Sequence, residues 1–160
     1  MSIMALLVII RGPPGSGKTE VGNALKHRLK LNNQTLQLDE INPKRFDENI
    51  SAVLHEEYVI GEMHYGNSHT TKPIWLKKFI EKEFRIISVV LQIKFETCII
   101  RAIGRPEGSL IPLDAIKQYF LFYAKYKQIF ISESGIKEIC IECNNKNAEQ
   151  IADEIRNVVS

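Results

Sequence analysis

Ala5 to Ile10 is an unbroken apolar run that closes on Arg11 and passes straight into Gly12-Pro13-Pro14-Gly15-Ser16-Gly17-Lys18-Thr19. Those eight residues fit G-x-x-x-x-G-K-[ST]. The residues after them place Val21, Ala24, Leu25, Arg28 and Leu29 at helical spacing. Strand, glycine loop and helix in this order define a phosphate-binding P-loop, and few chains carrying it can fold as anything but a parallel α/β sheet. The residue types explain the chemistry. Gly12, Gly15 and Gly17 let the backbone turn tightly and aim successive N–H groups inward, where they join the positive end of the helix to face an anion. Lys18 would reach the outer phosphates of a nucleoside triphosphate, and the Thr19 hydroxyl would ligate a Mg²⁺ shared with them. Gly12, Pro13, Pro14, Gly15, Ser16, Gly17, Lys18 and Thr19 are therefore the expected nucleotide-binding residues, with ATP and Mg²⁺ as the expected cofactors.

Along the 160 residues the pattern alternates. Thr35 to Leu38 reads as a short strand ending at Asp39-Glu40, and Pro43 opens a helix carrying Phe46, Ile50, Val53 and Leu54. Tyr58 to Ile60 reads as a third strand running into Gly61-Glu62. Pro73 to Glu83 reads as an amphipathic helix with Ile74, Trp75, Phe79 and Ile80 inward. Arg85 to Phe95 is apolar almost throughout, as a strand covered on both faces would be. A helix over Glu96 to Ile103, a Gly- and Pro-punctuated loop, a long helix from Pro112 to Ile131, a strand over Ile136 to Ile141 and a helix over Asn147 to Val159 complete the chain. Repeats and linkers are absent, so residues 1–160 are expected to form one domain. The expected sheet is parallel and covered by helices on both sides.

Composition narrows the function. The formal net charge is +2, without the basic stripe that duplex nucleic acid requires, so any nucleic-acid contact is expected at a strand end. The first apolar run is too short to span a membrane, and the reading is of a cytoplasmic protein. Cys98, Cys140 and Cys143 are an odd set that suits no secreted disulfide framework. Cys140 and Cys143 lie three apart on a predicted strand and should point to opposite faces, as packing residues do.

A P-loop does not by itself distinguish a kinase from a switch or a motor. Two acids at predicted strand ends, Asp39 and Glu62, are placed to face a triphosphate together. One can accept the proton of an incoming hydroxyl and the other can hold Mg²⁺. Arg101 and Arg105, four apart at the edge of the Gly104–Gly108 loop, can neutralise a migrating phosphoryl group from a lid spanning about residues 101–111. GTPase switches carry N-K-x-D, whereas Asn145-Lys146-Asn147-Ala148 lacks the aspartate. An ATP-binding, ATPase or regulatory module without an acceptor stays open as the alternative.

On these residues the chain resembles the P-loop kinases of the adenylate-kinase-like group. Within it, the chain is most similar to the polynucleotide 5′-hydroxyl kinase, zeta-toxin and chloramphenicol phosphotransferase family. The resemblance covers nearly the whole length and implies an α/β/α sandwich with a five-stranded parallel sheet in the order 2-3-1-4-5, plus a lid. It implies Mg-ATP-dependent transfer to a hydroxyl of a nucleotide, a nucleic-acid 5′ end or another small polar acceptor. It places the catalytic aspartate on Asp39, a third-strand acid on Glu62 and the lid arginines on Arg101 and Arg105. It also matches Ile111-Pro112-Leu113-Asp114-Ala115-Ile116 to the start of the helix after the lid, and brings the segment around Asn144 near the adenine. Asn42 stands where polynucleotide kinases tend to carry an arginine, with Lys44 and Arg45 close by as other cations. His64 and His69 fall in the expected acceptor loop.

Overall fold

The computed structural model describes residues 4–13, 15–40, 42–63, 74–103, 113–126 and 136–160. Five strands, β1 (Leu6–Arg11), β2 (Leu36–Gln37), β3 (Tyr58–Met63), β4 (Arg85–Gln92) and β5 (Ile136–Glu142), alternate with α1 (Lys18–Leu29), α2 (Pro43–Val53), α3 (Ile74–Glu81), α4 (Phe95–Ile103), α5 (Leu113–Tyr126) and α6 (Ala148–Val159). Every pairing is parallel and the order is β2-β3-β1-β4-β5, the sheet that the resemblance implied.

Strand alternation builds two cores. Leu6, Val8 and Ile10 of β1 pack on one side with Val21 and Leu25 of α1 and Ile151 and Ile155 of α6. Leu7 and Ile9 pack on the other with Ile50 and Val53 of α2 and Trp75, Leu76 and Phe79 of α3. β1 is thus buried on both faces, which is why its sequence is apolar without a break. On α3, Leu76 takes the inward place expected of Ile80, which is 42% exposed. Trp75, Leu76 and Phe79 share one face at 3.6 residues per turn, and Ile80 sits at its edge. Phe79 holds this core together through edge-to-face contacts with Trp75 and Phe84.

Element ends follow local chemistry. α1 stops at Leu29. Lys30 turns left-handed there (φ 55°), and the N–H groups of Lys30 and Leu31 close on the carbonyls of His27 and Lys26. α2 begins as expected at Pro43, with the Asn42 side chain accepting from the Arg45 N–H at 3.1 Å. α6 begins with a capping box between Asn147 and Gln150. Arg28 of α1 pairs with Glu149 and Asp153 of α6, joining the helix that leaves the glycine loop to the last helix. β4 ends at Gln92, short of the expected Phe95, because Phe95 already opens α4. Residues 127–131 of the expected long helix lie outside the described residues. Among the described residues no helix is long and apolar enough to cross a membrane.

Arg11 is wholly buried at the end of β1. It donates to Glu138 of β5 at 3.0 Å and to Ser88 of β4 at 3.3 Å. Burial pushes the Glu138 carboxyl up, with the Arg11 charge working against that rise. An arginine cannot shed its proton to escape, so Glu138→Leu should strip the counter-charge from a buried cation and cost about 3–5 kcal/mol in urea unfolding. A loss below about 1 kcal/mol would show that solvent already screens the pair.

Candidate active site

The glycine loop joins the end of β1 to the start of α1, and its glycines answer to specific geometry. Gly15 has φ +83°, and a Cβ there would stand 2.9 Å from the Cys98 carbonyl oxygen of α4. Gly17, at the N-cap of α1, has φ +90°. Both conformations are ones that side-chain-bearing residues rarely hold, so the loop's close approach to α4 depends on glycine. Ser16 N–H donates to the Pro13 carbonyl at 3.1 Å and closes the turn.

Lys18 folds back over this loop. Its Nζ lies 2.9 Å from the Gly12 carbonyl and 3.1 Å from that of Pro13, so the ammonium is held at the mouth of the loop that would receive phosphates. Thr19 donates its hydroxyl to Glu62 Oε1 at 3.1 Å. Parity explains that contact. Glu62 pairs in register with Ile10, so it shares the sheet face that packs on α1 and meets the first turn of that helix. Glu62 is only 7% exposed. A hydroxyl and a carboxylate side by side are hard oxygen donors, and they fit a Mg²⁺ that draws its remaining ligands from phosphate and water.

Asp39 follows β2, whose Gln37 pairs with Glu62, and the next residue, Leu38, donates its N–H to the Glu62 carbonyl at 3.0 Å. The two acids therefore lie at the ends of adjacent strands. Asp39 is half-buried. Asn42, where an arginine was the comparison point, serves as the α2 cap. Lys44 and Arg45 beside it are exposed, and Arg45 lies 3.9 Å from Glu40.

Arg101 reaches from α4 back to the loop, its Nη1 3.2 Å from the Ser16 carbonyl. It forms one wall of a cleft of about 610 Å³, a volume suited to a small ligand. The cleft also takes in Gly15, Gly17, Glu20 and Val21 at the start of α1, and Lys146 to Ala148 with Ile151 at the start of α6. Asn144 does other work: its Oδ1 accepts from the Lys94 N–H at 2.9 Å and from the Thr97 hydroxyl at 3.5 Å. It ties the β5–α6 turn to the start of α4, while its neighbours Lys146 and Asn147 supply the cleft wall. Pro14, Arg105, His64, His69 and residues 104–111 of the expected lid lie outside the described residues.

Two features escaped sequence reasoning. Glu20 follows the loop motif directly, and its place in the cleft is visible only once α6 is brought alongside α1. The Arg11–Glu138 pair joins residues 127 apart, and its one sequence signal is a charge closing an apolar strand. Cys140 is exposed while Cys143 is buried, and burial pushes the Cys143 thiol up to about 11. Among the described residues, Cys98, Cys140 and Cys143 form no disulfide.

A parallel sheet in this order, with the glycine loop after its central strand, is a P-loop fold matched by solved kinases. Solved structures share it along almost their whole length. Shikimate kinase from Acinetobacter baumannii, in complex with shikimate, matches with TM-score 0.58 at 16% identity, over 98% of this chain and 94% of its own. Deoxyadenosine kinase from M. mycoides, with bound dATP, matches with TM-score 0.58 at 13% identity over 96% and 99%. A sugar kinase from Janibacter sp. HTCC2649 matches with TM-score 0.58 at 12% identity over 97% and 94%. No protein-family profile matches the chain, and no curated protein matches it in sequence.

Proposed function

We propose that the chain is a Mg-ATP-dependent phosphotransferase that moves the γ-phosphoryl group of ATP to a hydroxyl of a small polar acceptor. The observation that carries this reading is the convergence at one sheet edge. Lys18 lies over the loop, Glu62 is bonded to Thr19, and Asp39 stands on the adjoining strand end. The loop amides and the α1 N-terminus would hold the phosphates, and Lys18 would leave the Gly12 and Pro13 carbonyls for the outer phosphate oxygens. Thr19 and Glu62 would hold the Mg²⁺, which when bound neutralises charge on the β- and γ-phosphates. Asp39 takes the proton of the acceptor hydroxyl as its oxygen bonds to the γ-phosphorus, while the bond to the bridging β,γ-oxygen breaks and ADP leaves. Arg101, and Arg105 from the lid, would face the migrating group.

The same fold carries kinases whose names specify a sugar, shikimate and deoxyadenosine, which supports a small hydroxylated acceptor. The finer assignment, to the polynucleotide 5′-hydroxyl kinase, zeta-toxin and chloramphenicol phosphotransferase family, rests on Asp39, Glu62 and the spacing of Arg101 and Arg105. Cytoplasmic residence belongs to the same reading. The test is transfer of labelled γ-phosphate from Mg-ATP to a panel of nucleosides, 5′-hydroxyl oligonucleotides, sugars and hydroxylated acids. A labelled acceptor identifies the substrate class. ATP binding with no labelled acceptor across the panel would favour a nucleotide-binding module instead.

A further inference from the structure

Glu20 puts a carboxylate into the cleft at a point where a triphosphate alone offers it nothing. A Cβ built on Gly17 would stand 3.3 Å from Glu20 Oε2 and 3.6 Å from Arg101 Nη1, so acid and guanidinium converge on one spot at the mouth of the loop. Both line the cleft that continues past Val21 to Ala148 and Ile151. Glu20 is exposed, and no hydrogen bond or ion pair engages it among the described residues. Phosphate oxygens only accept hydrogen bonds, so a carboxylate beside them repels. On a nucleoside triphosphate the groups that can satisfy it are the sugar hydroxyls and the N–H groups of the base. The spot adjoins Gly17, the last glycine of the phosphate loop, and the sugar is the part of the nucleotide that follows the phosphates directly. The base would lie farther out, toward Ala148 and Ile151.

We infer that Glu20 is a specificity-determining residue that accepts hydrogen bonds from the 2′- and 3′-hydroxyls of the donor nucleotide and selects a ribonucleoside triphosphate. The inference rests on the proposed nucleotide site. Its chemistry parallels the acid that reads ribose hydroxyls in dinucleotide-binding folds, here delivered from the first turn of the P-loop helix. Arg101 on the opposite side keeps the local charge balanced, so the acid can sit close to phosphate without emptying the site.

Equilibrium binding of Mg-ATP, Mg-2′,3′-dideoxy-ATP and Mg-tripolyphosphate to the wild-type chain and to Glu20→Ala tests this. The wild type should prefer ATP over the dideoxy compound by about tenfold, the value of a hydrogen bond to a charged group. Glu20→Ala should bind the two equally, and Glu20→Gln, which keeps an acceptor oxygen without the charge, should fall between. Tripolyphosphate should bind Glu20→Ala at least as well as the wild type. A sugar preference that survives in Glu20→Ala overturns the inference. So does an equal gain for ATP and tripolyphosphate in that variant, which would make the carboxylate a simple repulsive charge. Failure of the wild type to bind either ATP or tripolyphosphate would instead remove the nucleotide site itself. Glu20 is exposed and unpartnered by the described residues, so its replacement should leave folding intact.

Discussion

Lys18→Ala should lower Mg-ATP affinity by about a hundredfold while the protein still unfolds cooperatively near its original midpoint. Lys18 holds its ammonium at the loop mouth, bonded to the Gly12 and Pro13 carbonyls. A hydrogen bond to a charged group contributes about 1.5–3 kcal/mol, and one or two of them to phosphate oxygens account for the loss. The cost to the fold is smaller. The two carbonyls released by the substitution lie at the loop mouth beside a half-buried side chain, where water can replace the ammonium. Nucleotide titration beside a urea melt separates the two effects. Unchanged ATP affinity in a folded variant would remove the nucleotide site from this loop.

Asp39→Asn should do the opposite, keeping ATP and losing transfer. The substitution retains size and one carbonyl oxygen but cannot take a proton, and general-base catalysis contributes about 10²–10⁴ in rate. The acid stands at the strand end next to Glu62 and takes no part in the Thr19–Glu62 hydrogen bond, so nucleotide affinity should stay close to that of the wild type. Turnover on the best acceptor, measured at saturating ATP, decides the matter. Full activity in Asp39→Asn would place the base elsewhere, with Glu62 the next acid to examine. A parallel loss of ATP affinity would make Asp39 a partner in holding Mg-ATP rather than the base.

These two effects fall on residues that the sequence already marks. Lys18 belongs to a contiguous motif whose flanks are a strand and a helix, and each of the three can be recognised from its neighbours alone. Asp39 and Glu62 follow short apolar runs and could be placed at strand ends. Their relation to each other could not be read, because it depends on the β2–β3 register that sets Gln37 against Glu62. The direction of Glu62 needs a second register, Ile10 against Glu62, which turns it toward α1 and Thr19. A shift of one residue would have sent that carboxylate to the face covered by α2 and α3.

Other parts of the site were less legible. Asn144 lies in the segment expected near the base, yet its side chain caps the approach to α4, and Lys146 and Asn147 line the cleft. The choice among the four successive polar residues 144–147 rests on backbone direction, which composition does not encode. On α3 Leu76 is covered and Ile80 is not for a similar reason: both are apolar, and only the sheet beneath decides which one is covered.

The sequence by itself determined what depends on near neighbours: the glycine loop and its anion-seeking amides, the alternation of strands and helices, and the helix start at Pro43. Steric freedom at glycine, side-chain periodicity and local hydrogen bonding act over a few residues, so a few residues suffice to read them. Tertiary structure decided what those elements face. It closed Arg11 onto Glu138 across three strands, carried Arg101 to the Ser16 carbonyl, and set Glu20 opposite the start of α6. Each of these joins groups far apart in the chain. Their meeting depends on sheet order, register and helix packing together, and no short stretch of sequence holds that information.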